Sequence, residues 1–384
     1  MLAVSWKNLQ LGQVVTLQRG FDLPYRLRRS GSIPIVTSSG VTGTHDTARV
    51  EGPGVITGRY GTIGEVFFVA TDFWPLNTTL YVRDFKGNDP LFVSYLLRTV
   101  DFASHSGKSG VPGVNRNDLH KLEVVVPLPD EQRAIASALS DVDGLITVLD
   151  KVIAKKRDIK LATMQQLLTG KIRLPGFGQV GGPYKQTEIG TIPGEWDVKP
   201  LQDDVLLMSG HHVLARDCNL QGKGLPYITG PADFPNGVIR HTKFTERHTT
   251  LCRTNDILVT VKGSGAGTLV LSDGEYCISR QLMAIRVSSW NNRYVYYSLL
   301  HRSSQIESAA TGLIPGLSRS DILRKRLAIP ALPEQHAIAG VLSDIDAEIT
   351  ALERRRDKTK AIKQGMTQAL LTGRIPLPRL EVST

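Results

Sequence analysis

The chain has 384 residues, 41% hydrophobic and 21% charged, which excludes wholesale disorder and is too long for a single compact core. Its formal net charge of +10 admits a polyanion such as DNA as partner, and seven of the ten excess charges fall in residues 1–126 and 189–329. No run approaches the ~18 apolar residues of a membrane span, and Met1–Gln10 lacks the apolar stretch of a signal peptide, which predicts a cytoplasmic protein without membrane contact.

Residues 1–126 show short strand-like runs, Gly54–Thr57 and Glu65–Val69, punctuated by Gly, Pro and Asp. Gly58, Gly61 and Gly64 follow the first run. A strand rather than a helix comes next, so the glycines predict a turn and not a dinucleotide site. Arg59 and Tyr60 lie between those glycines, where backbone can approach a phosphate or base edge closely. Further on, Asn115, Arg116, Asn117 and Asp118 set a cation among side chains able to bond bases. Lys108 and the cluster Arg26, Arg28 and Arg29 offer phosphate contacts.

Residues 127–175 change texture. Ile135, Leu139, Val142, Ile146, Leu149 and Ile153 step alternately by four and three, the apolar seam of a coiled coil. No proline interrupts 131–169, and Gly170 stands where a glycine stops a helix. Acidic Glu131, Asp141, Asp143 and Asp150 come first, and Lys151, Lys155, Lys156, Arg157 and Lys160 follow. Residues 176–188 are Gly-rich and predict a flexible linker.

Residues 189–329 return to strand-like runs, Ile257–Thr260 and Thr268–Leu271. Lys262 and Ser264 lie in a Gly-rich loop between them, at the place of Arg59 and Tyr60 in the first half. Arg319 lies among Ser318, Ser320 and Asp321, matching Arg116, and Arg280 and Gln281 complete the candidate DNA contacts. Cys218, Cys252 and Cys277 are an odd three, which suits reduced packing thiols. His211, His212, Cys218, His248 and Cys252 match no zinc spacing, so no metal site is expected.

Residues 330–378 repeat 127–175 at a constant offset of 203, with about half the positions identical. The seam recurs as Ile338, Leu342, Ile345, Ile349 and Leu352, and the stop as Gly373. Glu334, Asp344, Asp346, Glu348 and Glu353 again precede basic residues, from Arg354 to Lys363. Antiparallel pairing lays each acidic front beside the other's basic rear. Helices of this length would reach ~60 Å at 1.5 Å per residue. The strand-rich segments are fainter copies. Trp6 and Gly20 match Trp196 and Gly210 in spacing, and Val114–Asp118 matches Leu317–Asp321. The fold class is therefore α+β in a pseudo-twofold tandem repeat.

Catalytic signatures are missing. Gly107-Lys108-Ser109 has Phe102 where a phosphate loop needs glycine, and no Asn-Pro-Pro-Phe/Tyr or Asp-Pro-Pro-Tyr segment occurs to hold an amino group for methylation.

Together, the run from Thr187 to Trp196 and the twin helices, opening at Pro127–Gln132 and Pro330–Gln335 and closing on Leu-Leu-Thr-Gly, resemble the DNA-specificity subunit of type I restriction-modification systems. The resemblance covers essentially the whole chain. It implies two target-recognition domains, 1–126 and 189–329, each reading half of a bipartite asymmetric sequence in double-stranded DNA, with the paired helices as spacer. It also implies two modification (methyltransferase) subunits carrying S-adenosylmethionine, and restriction subunits supplying ATP- and Mg-dependent translocation and cleavage. This chain would then be no enzyme and hold no cofactor. Alternatives are a diverged methyltransferase or nuclease with its own site, the specificity subunit of a related type II system, or a coiled-coil adaptor binding protein alone.

Overall fold

The computed structural model describes residues 6–105, 113–178, 182–247, 249–263, 265–303 and 316–375, without the side chain of Asn236. Two helices of equal length stand out, Pro129–Leu168 and Leu332–Leu371, each of 40 residues. Each carries a proline in its first turn, where a missing N–H costs nothing. Each stops at a glycine with positive φ, Gly170 at +67° and Gly373 at +68°. The chain divides into two compact units, residues 1–150 with 354–384, and residues 151–353.

In the first unit a four-stranded antiparallel sheet runs in the order Thr16–Arg19, Thr79–Asp84, Gly54–Gly58, Val66–Val69. A second sheet holds Gly40–His45, Ile33–Thr37 and Trp74–Pro75, and Lys7–Gln10 pairs with Glu123–Val126. The helix Pro90–Arg98, capped by the Asp89 carboxylate on the Phe92 N–H at 2.8 Å, buries Phe92, Val93 and Leu97 beside the larger sheet. Ile135 and Leu139 of the central helix join that core together with Leu370 and Leu371 of the C-terminal helix.

The second unit repeats the plan with other residues. Its four-stranded sheet runs Val205–Ser209, Leu282–Val287, Ile257–Thr260, Leu269–Leu271. A five-stranded sheet of short strands lies in the order Cys218–Asn219, Phe244–Thr245, Leu225–Ile228, Tyr276–Ile278, Leu251–Cys252, and Asp197–Pro200 pairs with Arg326–Ile329. Asn291 caps the helix Asn292–His301. Met164, Leu167 and Leu168 share a core with Ile338, Ala339 and Leu342. The end of the expected linker is ordered: Tyr184–Thr187 is a strand paired to Gly190–Pro193, and the Tyr184 hydroxyl donates to the Gly170 carbonyl at 2.9 Å. All three cysteines are free thiols.

Ion pairs join the two long helices inside each unit. In the first, Asp143 meets Lys363 at 2.6 Å and Asp150 meets Arg356 at 3.5 Å. In the second, Lys156 meets Glu348 at 2.6 Å and Lys160 meets Asp346 at 2.6 Å. In both, a later residue on the central helix meets an earlier one on the other. Along the expected seam Ile135, Leu139, Leu149, Ile338, Leu342 and Ile349 are buried, whereas Val142, Ile146, Ile345 and Leu352 are half-buried.

The repeated Pro-x-x-x-Glu-Gln start of each helix has a physical meaning. Gln132 donates through Nε2 to the Pro127 carbonyl at 2.9 Å and accepts the Asp89 N–H at 2.9 Å. Gln335 does the same with Pro330 and Asn291, also at 2.9 Å each. The preceding glutamate accepts an indole N–H, from Trp6 to Glu131 at 3.1 Å and from Trp196 to Glu334 at 3.0 Å. About three turns further on, Tyr95 donates to Asp143 at 2.8 Å and Tyr297 to Asp346 at 2.7 Å. These bonds fix the strand-rich part of each unit on its own stretch of long helix.

Candidate nucleic-acid interface

Three backbone segments converge at one corner of each unit. In the first, the Arg59 and Tyr60 amides donate to the Thr78 carbonyl at 2.8 and 3.1 Å, and Val114 donates to the Arg59 carbonyl at 3.0 Å. Tyr60 and Gly113 form an isolated bridge. In the second, Val261 donates to the Gln281 carbonyl at 2.7 Å, Leu317 donates to the Val261 carbonyl at 2.9 Å, and Lys262 bridges to Gly316. Lys262 thus occupies the place of Tyr60, and Arg280–Gln281 the place of Asn77–Thr78.

Glycine is required at one point of this corner. A Cβ on Gly58 would stand 1.8 Å from the Thr62 carbonyl oxygen, so the chain reverses there only without a side chain. Gly61 and Gly64 continue at φ +83° and +91°, and the strand Val66–Val69 follows. The three glycines form a turn between strands.

The side chains divide into exposed and engaged. Tyr60 is 44% exposed, with the Arg59 guanidinium 4.5 Å over its ring. Arg116, Lys262, Arg280 and Gln281 are exposed. Asn115 caps the short helix Arg116–His120, accepting the Asn117 N–H at 2.9 Å. Arg319 donates to Ser209 Oγ at 3.0 Å and to the Leu207 carbonyl at 2.8 Å, tying the third segment to the edge strand Val205–Ser209. Arg28 and Arg29 are likewise engaged, with the Leu23 carbonyl and Asp46. Lys108, Ser264 and His248 lie outside the described residues. Among the described residues, no group of three His, Cys, Asp or Glu side chains gathers as metal ligands, and no helix is long and apolar enough to cross a membrane.

Sequence reading did not find the turns Leu76–Thr79 and Ser279–Leu282 as one feature. The signal lay in Gly20 and Gly210. Each has a carbonyl oxygen 2.1 Å from where its Cβ would be, that of Leu76 and that of Ser279 respectively, so both glycines seat the same turn.

The corner offers cations, an aromatic face and open backbone on two unlike copies of one framework, which suits phosphate and base contact. The family profile described as the type I restriction modification DNA specificity domain matches residues 3–155 and 193–364. A putative type I restriction enzyme MjaX specificity subunit of Methanocaldococcus jannaschii is 28% identical over 297 residues, 75% of this chain and 68% of that one. The MjaVIII specificity subunit of the same organism is 24% identical over 313 residues, 76% and 71% of the two chains. Among solved structures, a type I restriction-modification S subunit from M. genitalium superposes with TM-score 0.69 at 16% identity, covering 95% of this chain and 96% of that one. A chain from a type I R-M system structure gives TM-score 0.54 at 20% identity, covering 97% and 98%. With two profile matches that span most of its length, one over each strand-rich segment, the chain belongs to the type I restriction-modification DNA-specificity family.

Proposed function

We propose that residues 1–126 and 189–329 are two target-recognition domains, each reading one half of a bipartite, asymmetric sequence in duplex DNA. One observation carries this reading. The same three-segment corner occurs twice with different side chains on it, Arg59, Tyr60 and Arg116 in one and Lys262, Arg280 and Gln281 in the other. A shared framework with unlike contacts reads two unlike half-sites. Asn115 and Arg319 hold the corner, and Lys108 and Ser264 are candidate contacts by their sequence alone.

The helical segments 127–175 and 330–384 act, in this reading, as an antiparallel coiled coil that spaces the domains, with 176–188 as the link. The opposite residue order of the ion pairs within each unit supports it. Half-sites on one face of B-DNA lie ~34 Å apart per helical turn, a distance that ~60 Å helices can set. Two modification subunits dock on this scaffold, and restriction subunits join them. Methylation and cleavage, with S-adenosylmethionine, ATP and Mg, belong to those partners in the cytoplasm, and this chain catalyses neither. One similar structure bears on complex assembly and conformational transition of the type I R-M system, which supports such an assembly.

The test is modified-base mapping in DNA from cells expressing the chain with its modification subunit. Two different half-sites separated by unspecified bases are expected. A single uninterrupted site, or label transfer by the chain alone, would contradict the reading.

A further inference from the structure

A cavity of about 440 Å³ opens beside the Arg280–Gln281 turn of the second unit, within the size range of small-ligand sites. Its inner wall is mainly apolar, and the hydroxyls of Ser279 and Thr229 on it are already committed to the Thr229 carbonyl and to Asp233. Val213 and Tyr227 are buried there, and the Tyr227 hydroxyl is already committed to the Val213 N–H and the His211 carbonyl. Cys218 adds a half-buried thiol. Lys243 and Arg280, both exposed, flank the opening, and among the described residues neither side chain has a hydrogen-bond or ion-pair partner.

Leu220 stands on the same wall, 71% exposed. A lone exposed leucine is ordinary. This one is held out on a stapled turn, since Asn219 Oδ1 accepts the N–H groups of Gln221 and Lys223 at 3.1 and 3.0 Å, and Asn219 Nδ2 donates to the Lys223 carbonyl at 2.8 Å. The first unit differs at this place. Gly20 donates to the Thr79 carbonyl as Gly210 donates to that of Leu282, which aligns Asn77 with Arg280 and Asp22 with His212. Asn77 hydrogen-bonds Asp22, and that corner closes on itself.

We propose that the second unit uses Leu220 as a wedge to displace one base of the duplex and receives the nucleobase in this cavity. A base has flat apolar faces, which the buried wall accepts, and it arrives with flanking phosphates, which Arg280 and Lys243 meet. Apolar wedges that unstack a step and pockets that take the freed base are both established ways of handling DNA. The inference rests on the DNA-reading function proposed above and adds that readout in one half-site includes an extruded base.

The experiment uses the chain bound to its modification subunit, with duplexes carrying 2-aminopurine or pyrrolocytosine at each position of the mapped second half-site, the methylated base excepted. Wild type should brighten one position several-fold, and Leu220→Ala should abolish that rise while weakening binding about tenfold. Leu220 is exposed, so its truncation leaves the core intact. In parallel, maleimide labelling of Cys218, the one thiol of the three that is not fully buried, should slow on DNA binding. Free deoxynucleotides distinguish the source, and protection by them without DNA would mean a small-molecule site and overturn the wedge. Tight binding with no brightened position overturns this inference alone. Absence of sequence-specific binding would overturn the parent reading and this one with it.

Discussion

Trp196 donates its indole N–H to Glu334 at 3.0 Å, although 138 residues separate them. The carboxylate is 3% exposed and also takes the Arg173 guanidinium, at 2.5 Å to Nε and 2.8 Å to Nη2, while that guanidinium lies 5.4 Å over the Trp196 ring. The matching pair in the first unit, Trp6 and Glu131, is half-buried.

Removing Glu334 leaves the largely buried Arg173 with only the exposed Glu195 carboxylate as ionic partner and takes the acceptor from the Trp196 indole N–H. Glu334→Ala is expected to destabilise the second unit by about 2–4 kcal/mol, and Glu131→Ala to cost the first unit about 1 kcal/mol. Denaturant unfolding followed by tryptophan fluorescence checks both. Equal losses would show that burial does not govern the difference.

The interhelical pairs are partly exposed, so each contributes modestly. Lys160 meets Asp346 and lies 5.5 Å over the Tyr297 ring, and Lys363 stands the same way to Asp143 and Tyr95. A double-mutant cycle on Lys160 and Asp346 should return a coupling near 1 kcal/mol, and the charge-swapped pair should recover most of the loss of either single reversal. Zero coupling would remove the pair from the account.

The two units should differ in acid. Burial first, then Arg116 and Lys86, lower the His120 pKa below its ordinary 6.5, and the ring accepts the Leu17 N–H through Nε2 at 2.9 Å. A lowered folded value means that the unfolded chain protonates first as pH falls. This contribution is complete above 6.5 and is lost as pH drops below it. Asp204 differs. Burial alone would raise it, but the Ser289 hydroxyl and the Trp290 and Ser289 amides overcome that and hold it below 3.8. Its contribution is present above 3.8 and disappears only as pH falls through the lower folded value. Unfolding measured across pH should show His120→Gln flattening the upper window and Asp204→Asn the lower. Identical profiles for both variants would contradict this.

On the proposed interface, Lys262→Ala should weaken DNA binding across sequences and reduce the slope of log affinity against log salt by about 1, as loss of a phosphate contact does. Gln281→Ala, at an exposed amide able to pair with a base edge, should instead relax base preference, in the second half-site only. Binding assays at several salt concentrations, with the modification subunit present, decide between these effects.

The helices were legible because their determinants are local: an apolar step of three and four, no interior proline, and glycines at 170 and 373 that take positive φ. The strands around Gly54–Gly58 and Ile257–Thr260 were legible from β-branched runs. The bonds that seat each head were not. Glu131, Gln132, Glu334 and Gln335 could be read as repeated residues, but their partners Trp6, Asp89, Trp196 and Asn291 are set by tertiary packing. The candidate corner was half legible. Loop composition singled out Arg59 and Lys262, while the internal engagement of Arg319 depends on the edge strand at Leu207 and Ser209. The turn from Asn219 to Lys223 carries no periodicity, and its short strands escape any pattern based on alternation.

The most direct test of the account is to lengthen one helix. Four residues inserted after Thr169, about one turn at 3.6 residues per turn, should leave both half-sites unchanged and alter the number of unspecified base pairs between them, as read by methylation mapping. Methylation at the original spacing would contradict the claim that these helices set the distance between two readers.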